Sequence, residues 1–122
     1  MTFADAEALS VAFLKPIASP EHVGTKVPNP RPKRLVRAYR SGGSAINRVL
    51  ERAQITVEAE AETSTKAFQL ASACREAFLN DYTRMPLVRG VEETVGLYYV
   101  PDPATNIDRY RFTVALTIRA AR

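Results

Sequence analysis

The clearest pattern in the chain is a change from alternating to helical spacing of apolar residues between positions 53 and 79. Apolar and polar residues alternate strictly over 53–61, which predicts a strand with one buried face. The threonines and serine at 63–65 are typical of a helix start, because their side-chain oxygens accept bonds from free backbone N–H groups. The apolar residues that follow at helical spacing are Ala67, Leu70, Ala71, Cys74, Ala77 and Phe78. The sequence therefore predicts a half-buried strand leading into an amphipathic helix.

A shorter helix is predicted over residues 2–14. Its apolar stripe includes Leu9 and Phe13, and Thr2 with Asp5 three residues later forms a plausible capping pair. Pro16 lacks the backbone N–H that a helix interior needs, so we expect the helix to end near residue 14 or 15. A loop is expected at 19–21.

The remaining apolar alternation predicts further strands. They are expected at 23–27, as a short edge strand, and at 35–40, 94–100 and 109–119. Three prolines within 28–32 predict an extended, polyproline-like connection, because proline cannot donate to a strand ladder. Glycine and serine at 41–44 predict a turn, and a loop is expected at 84–90. Strands 35–40 and 53–61 should form one hairpin, and the last two strands a second.

This order of elements predicts the fold class. Runs of strands on either side of a helix indicate an α+β protein with a largely antiparallel sheet of four to five strands. The two helices are expected to pack on one face of that sheet. With 122 residues, the chain is predicted to form a single domain spanning residues 1–122.

The charge of the chain is concentrated in one stretch. The formal net charge is +4, but residues 26–52 carry eight basic residues against Glu51 alone, a local charge of +7. The basic residues of this stretch are Lys26, Arg31, Lys33, Arg34, Arg37, Arg40, Arg48 and Arg52. Such a block indicates a positive surface that meets an acidic partner, or else a solvated loop whose arginines aid solubility.

No residue set suggests catalysis. His22 is the only histidine and is expected in a loop, with no second ligand at zinc spacing. Cys74 lies on the apolar stripe and is predicted to be a small buried hydrophobe. Asp102 and Asp108 flank a proline-rich turn, where aspartate is common. We therefore expect no enzyme, no cofactor and no metal site. No apolar run is long enough to span a bilayer and no signal peptide is expected.

Taken together, the chain resembles the tail terminator family of bacteriophages with long, non-contractile tails. The features that carry the resemblance span most of the chain: the N-terminal helix followed by the proline-rich segment 27–32, the strand ending at 40–43, the strand 51–57, the alanine-rich helix 67–78, the pair 102–103 and the strand 109–114. The resemblance implies a structural virion protein. Six copies would form a ring on the head-proximal end of the tail tube, end tube polymerisation and present the surface for head joining.

The resemblance also implies partners. They are other copies of the chain, the tail tube protein, a head-closure or connector protein, and genomic DNA passing through the lumen without sequence-specific binding. Assembly in the host cytoplasm and no membrane contact are expected. The basic residues implied to face the lumen or a neighbour's acidic surface are Lys26, Arg31, Lys33, Arg34, Arg37, Arg40 and Arg48. That acidic surface could be formed by Glu58, Glu60, Glu62 or the pair 92–93.

Two other interpretations remain open at this point. A head-closure or head-to-tail connector protein of the neck has a similar size and fold class. A small nucleic-acid-binding module would use the basic stretch 26–52 to contact phosphates without sequence specificity.

Overall fold

The computed structural model describes residues 2–18 and 22–121, and its centre is one five-stranded sheet. In chain order the elements are α1 (Ala6–Ala18), β1 (His22–Gly24), β2 (Leu35–Ala45), β3 (Leu50–Glu60), α2 (Ser64–Asp81), a 3₁₀ turn (Tyr82–Arg84), β4 (Val88–Tyr99) and β5 (Arg109–Arg119). The strand order is β1-β2-β3-β5-β4, and only the β1–β2 pair is parallel. The predicted α+β class with helices on a largely antiparallel sheet is confirmed.

The hydrophobic core lies between the sheet and the two helices. The alternation of β3 and β5 places Ile55 and Phe112 on the helix side, where both are fully buried. The ring of Phe78 in α2 contacts that of Phe13 in α1 at 5.1 Å between centroids and that of Phe112 at 6.2 Å. All six residues of the predicted α2 stripe are buried. Burial raises the pKa of the Cys74 thiol to about 12, so this side chain stays protonated, as expected for a small core residue.

Helix α1 is shifted along the chain from its predicted position. It begins at Ala6, and Asp5 is its cap, with Oδ1 accepting from the backbone N–H groups of Glu7 at 3.0 Å and Ala8 at 3.2 Å. The expected end before Pro16 was wrong, because the helix continues to Ala18. Ala12, whose carbonyl loses its partner at Pro16, is exposed, so water can supply the missing bond. The loop expected at 19–21 lies outside the described residues, and His22, expected in a loop, begins β1.

Strand β2 continues through the glycine-rich segment that was predicted to be a turn. The pairing with β3 shifts between Arg40 and Gly42 and then resumes to Ala45. Gly43 has a φ of +98°, and a Cβ there would lie 2.0 Å from the carbonyl oxygen of Arg52 on β3. The glycines therefore permit a bulge and a close approach of two strands instead of a reversal.

The other boundaries differ for related reasons. The hairpin turn falls at 46–49, where Asn47 Oδ1 accepts from two backbone N–H groups. Strand β4 begins at Val88, inside the predicted loop, and has register shifts at three places along its pairing with β5. These irregularities interrupt the alternation of apolar and polar residues, so the sequence pattern did not indicate the first half of β4. Strand β5 has the predicted bounds, and Asp102 forms the predicted turn, with Oδ1 accepting from Ala104 N at 2.8 Å.

We predict that Gly43→Ala destabilises the protein by roughly 1–3 kcal/mol, because the new Cβ meets backbone and the left-handed φ is strained. Urea denaturation measures the difference. The matched control is Gly96→Ala in β4, where the nearest atom to a new Cβ is Glu93 Oε1 at 3.9 Å. Equal stability of the Gly43→Ala variant and the parent would contradict the close strand contact.

Candidate functional site

The side of the sheet that faces away from the helices carries a layer of charged residues. Alternation places Glu58 and Glu60 of β3 on this open face, and the register sets them opposite Arg111 and Arg109 of β5. We call the ion-paired group the charged layer. Its members are Arg31, Arg37, Glu58, Glu60, Asp102, Arg109 and Arg111.

Glu58 is the most deeply buried carboxylate of the charged layer, with 1% of its side chain exposed. Arg37 on β2 donates to Oε1 at 2.9 Å, and Arg111 on β5 donates to Oε2 through Nε at 2.8 Å and Nη2 at 2.5 Å. Arg109 Nη1 lies 3.6 Å from Oε1. A buried carboxylate is stable only when its oxygens are paired and hydrogen-bonded, and here both oxygens are.

Glu60 is held by an arginine from the proline-rich connection. Arg31 Nη2 donates to both oxygens of Glu60 at 2.7 Å and to Asp102 Oδ2 at 2.9 Å. The hydrogen bond to Glu60 raises the pKa of Arg31. The N–H of Ala104 lowers the pKa of Asp102, and Arg31 adds to that shift. One guanidinium thus joins the β1–β2 connection, β3 and the β4–β5 turn.

The basic candidates do not form one continuous surface. Arg31 and Arg37 are in the charged layer, and Arg40 pairs with Glu51 at 2.6 Å within the β2–β3 hairpin. Arg34 is half-buried. The remaining candidates are exposed and have no ion pair among the residues that the structure describes: Lys26, Lys33 and Arg48.

Four of the five acidic residues considered as a neighbour's surface have partners within the chain, and the fifth, Glu62, is exposed. Glu58 and Glu60 belong to the charged layer, Glu92 pairs with Arg52 at 3.1 Å, and Glu93 pairs with Arg75 of α2 at 2.7 Å. The N–H groups of Arg75 lower the pKa of Glu93. Sequence reasoning missed three members of the charged layer, Asp102, Arg109 and Arg111. The alternation of β5 placed both arginines away from the core, but nothing in the pattern indicated that β5 lies beside β3.

The open face offers little for catalysis. Thr56 Oγ1 lies 2.7 Å from Ser41 Oγ and 3.1 Å from Thr113 Oγ1, so these hydroxyls bond one another. Its buried carboxylates are held in ion pairs. Within 2–18 and 22–121, no three side chains of the metal-binding types lie close enough to hold a metal ion.

A second feature is the apolar edge of the sheet, which we define as Phe68, Val95 and Tyr99. These side chains are 46%, 43% and 46% exposed, and two of them lie on the edge strand β4. Tyr110 contacts Phe68 and Tyr99, each with 5.4 Å between ring centroids. Phe68 and Tyr99 flank Tyr110 on the helix side of the sheet, whereas Val95 pairs in register with Thr113, a residue of the open face. Exposed apolar side chains along one edge of a sheet are typical of a contact surface.

No family profile matches the chain, and no curated protein matches it in sequence. Neither described helix has the length and apolar character needed to cross a membrane.

We predict that Glu58→Gln lowers the free energy of unfolding by roughly 1–3 kcal/mol, because it leaves three arginines without their shared counter-charge. Urea denaturation at neutral pH provides the measurement. The control, Glu92→Gln, removes a carboxylate that is 67% exposed and should cost less than about 1 kcal/mol. Similar losses in the two variants would mean that burial adds nothing at Glu58.

A second prediction concerns the loss of folding stability at acid pH. The pKa of Asp102 is lower in the folded chain than in the unfolded chain. Its stabilisation is therefore complete above the unfolded carboxyl pKa and is lost as the pH falls through the folded value. Asp102→Asn should flatten the decline in stability below about pH 4. Denaturation midpoints from pH 6 to pH 2 measure this, with Asp81→Asn, at the exposed end of α2, as the control. An unchanged acid slope for Asp102→Asn would reject the assignment.

Proposed function

We propose that this protein is a structural subunit that forms a ring at the head-proximal end of a phage tail tube. In this role it ends tube polymerisation and provides the surface that joins the tail to the head. The observation that carries the proposal is that the sheet is incomplete at two different edges. The resemblance of motifs over most of the chain to tail terminators suggests the tail as the setting.

The first incomplete edge is on β2. The short strand β1 pairs only with Leu35, Val36 and Arg37, so no described strand lies beside residues 41–45 on that side. The carboxylate of Glu7 accepts the outward backbone N–H of Arg40 at 3.0 Å. Beyond it, residues 41–45 are small and uncharged, and Ile46 at the hairpin turn is 56% exposed. Unpaired backbone groups of this kind are open to contact by another chain.

The second incomplete edge is β4, at the opposite side of the sheet. Its register shifts interrupt a regular backbone ladder, which disfavours simple strand addition. The apolar edge instead offers side chains whose burial is favourable by about 25 cal/mol per Å². We therefore infer contacts through side chains at β4.

Two different edges on opposite sides of one subunit support a head-to-tail contact. Such contacts generate a ring when the rotation between subunits closes. Six copies is the number that the resemblance implies. In the same proposal, the two open ends of the ring meet the tail tube protein and the head-closure or connector protein, and genomic DNA passes through the lumen.

The test is reconstitution with the tail tube protein and the connector protein of the same virus. We expect rings at tube ends by electron microscopy, and tubes that stop lengthening once the rings are present. Preferential capture by connector rings, without tube capping, would instead assign the protein to the neck. A chain that stays monomeric at high concentration and binds neither partner would overturn the proposal.

We predict that Val95→Lys prevents ring formation while preserving the fold. Val95 is 43% exposed, so a charge there costs the monomer little but would be buried without a partner in a subunit contact. Light scattering reports the size of the assembly, and thermal unfolding reports the fold. Thr83→Lys, on the exposed 3₁₀ turn, adds the same charge away from β4 and should assemble normally. Normal rings from Val95→Lys would exclude the apolar edge from the contact.

A further inference from the structure

We propose that the open face of the sheet carries a binding site for the phosphate groups of double-stranded DNA, formed by Arg37, Tyr39, Tyr98 and Arg111. We call these four residues the donor patch. It includes two residues of β4 and β5 that lie outside the basic stretch 26–52. The choice of DNA rests on the proposed function, in which the ring surrounds the genome during its passage.

The geometry of the donor patch is set by a row across four strands. Arg37 of β2 pairs in register with Glu58 of β3, Glu58 with Arg111 of β5, and Arg111 with Tyr98 of β4. Because Arg37 and Arg111 bind opposite oxygens of Glu58, the two guanidinium groups are drawn together on the surface. The Arg37 guanidinium also lies 4.8 Å from the centre of the Tyr39 ring, within the range of a cation–π contact.

The charge that the donor patch presents is positive. Two guanidinium groups share one carboxylate. Arg109 lies 3.6 Å from the same carboxylate, but it also lies 3.9 Å from Glu60 and 3.8 Å from Asp102, so its charge is balanced within the charged layer. Glu58 is 1% exposed, whereas the side chains of Arg37 and Arg111 are 30% and 27% exposed. A ligand would therefore meet the cations and not the anion. Half-exposed cations on a flat sheet suit a polymer surface better than a small molecule enclosed in a cavity.

The free hydrogen-bond donors of the donor patch also favour an anionic ligand. Arg37 uses Nε on the carbonyl of Thr25 and Nη1 on Glu58, while its Nη2 bonds nothing in the described part of the chain. The Tyr98 hydroxyl accepts from Arg111 Nη1 at 3.3 Å and keeps its own hydrogen for another acceptor. Burial, and then the negative charge of Glu58, raise the pKa of Tyr39, so its hydroxyl also remains a donor.

The donor patch thus offers positive charge and free N–H and O–H groups, while both oxygens of its carboxylate are already occupied. The complementary ligand is an anion rich in hydrogen-bond acceptors. Phosphate oxygens of a duplex backbone fit this chemistry and need no base recognition. Contact through two arginines predicts that the logarithm of the binding constant falls with the logarithm of the salt concentration with a slope of about −2 for each bound subunit.

The experiment measures binding of the full chain to two fluorescent duplexes of unrelated sequence, at several salt concentrations. The patch variant is Arg37→Gln/Glu58→Gln/Arg111→Gln, which removes the buried carboxylate together with its two cations and lowers the net charge by one. We expect equal affinity of the parent for both duplexes, and about a tenfold loss with a nearly flat salt dependence in the variant. The second variant, Tyr39→Phe/Tyr98→Phe, removes only hydroxyls and should lose about twofold to fivefold.

The control is Lys26→Gln/Lys33→Gln/Arg48→Gln, which removes three exposed charges outside the donor patch. If overall charge governed binding, this control would be affected more than the patch variant. We expect it to be affected less and to keep its salt slope. A larger loss in the control, or no loss in the patch variant, would overturn the site. If the patch variant did not fold, unchanged binding by the tyrosine variant would overturn it.

Two further outcomes separate this inference from the proposed function. Binding of labelled polyglutamate that is lost in the same variants would assign the patch to an acidic protein segment and overturn the DNA assignment. Tube capping is measured in parallel, and the patch variant should still cap tubes because it changes residues of β2, β3 and β5 and leaves the side chains of the apolar edge in place. DNA binding lost only in patch variants, from a chain that never caps tubes, would support the site while rejecting the ring.

Discussion

The fold depends on keeping the charges of Glu58 and Glu60 satisfied on the open face of β3. Burying a carboxylate without partners costs several kcal/mol, so this strand is compatible only with neighbours that bring arginines to the right positions. Arg37 from β2, Arg109 and Arg111 from β5, and Arg31 from the proline-rich connection meet that requirement. The register of the central strands is therefore specified from both faces. A slip of one residue would turn Glu58 toward the helices and Val57 toward the arginines.

Local patterns revealed those elements in which side-chain alternation is uninterrupted. The stripe of α2 and both bounds of β5 follow from periodicity alone, because apolar residues recur without interruption at helical spacing in α2 and at alternate positions in β5. The turn predicted at 41–44 was wrong because the conformational freedom of Gly43 serves a bulge as well as a turn. The helix end predicted before Pro16 was wrong because an exposed helix end tolerates the lost hydrogen bond. The first half of β4 was hidden by its register shifts.

The charged layer could not be predicted because it depends on which strands are neighbours. A basic stretch in the sequence is not the same as a basic surface, because Arg31, Arg37 and Arg40 form ion pairs with carboxylates of this chain. Three of those carboxylates, Glu51, Glu58 and Glu60, are on β3, and Asp102 is in the β4–β5 turn. The positive region that remains combines Arg37 with Arg111, which are 74 residues apart in the chain. Sequence spacing carries no signal for such a pair.

The same network links the strands between the two edges at which we infer subunit contacts. The row from Arg37 through Glu58 and Arg111 to Tyr98 crosses four strands with side-chain bonds, in addition to the backbone ladder. Arg31 adds a link from the connection that follows β1 to the turn that follows β4. A load applied at either edge is thus shared by charge-assisted bonds across the open face. In the proposed ring these side-chain bonds add to the backbone ladder that already joins the two contact edges, so their loss should lower the stability of the sheet without separating the edges.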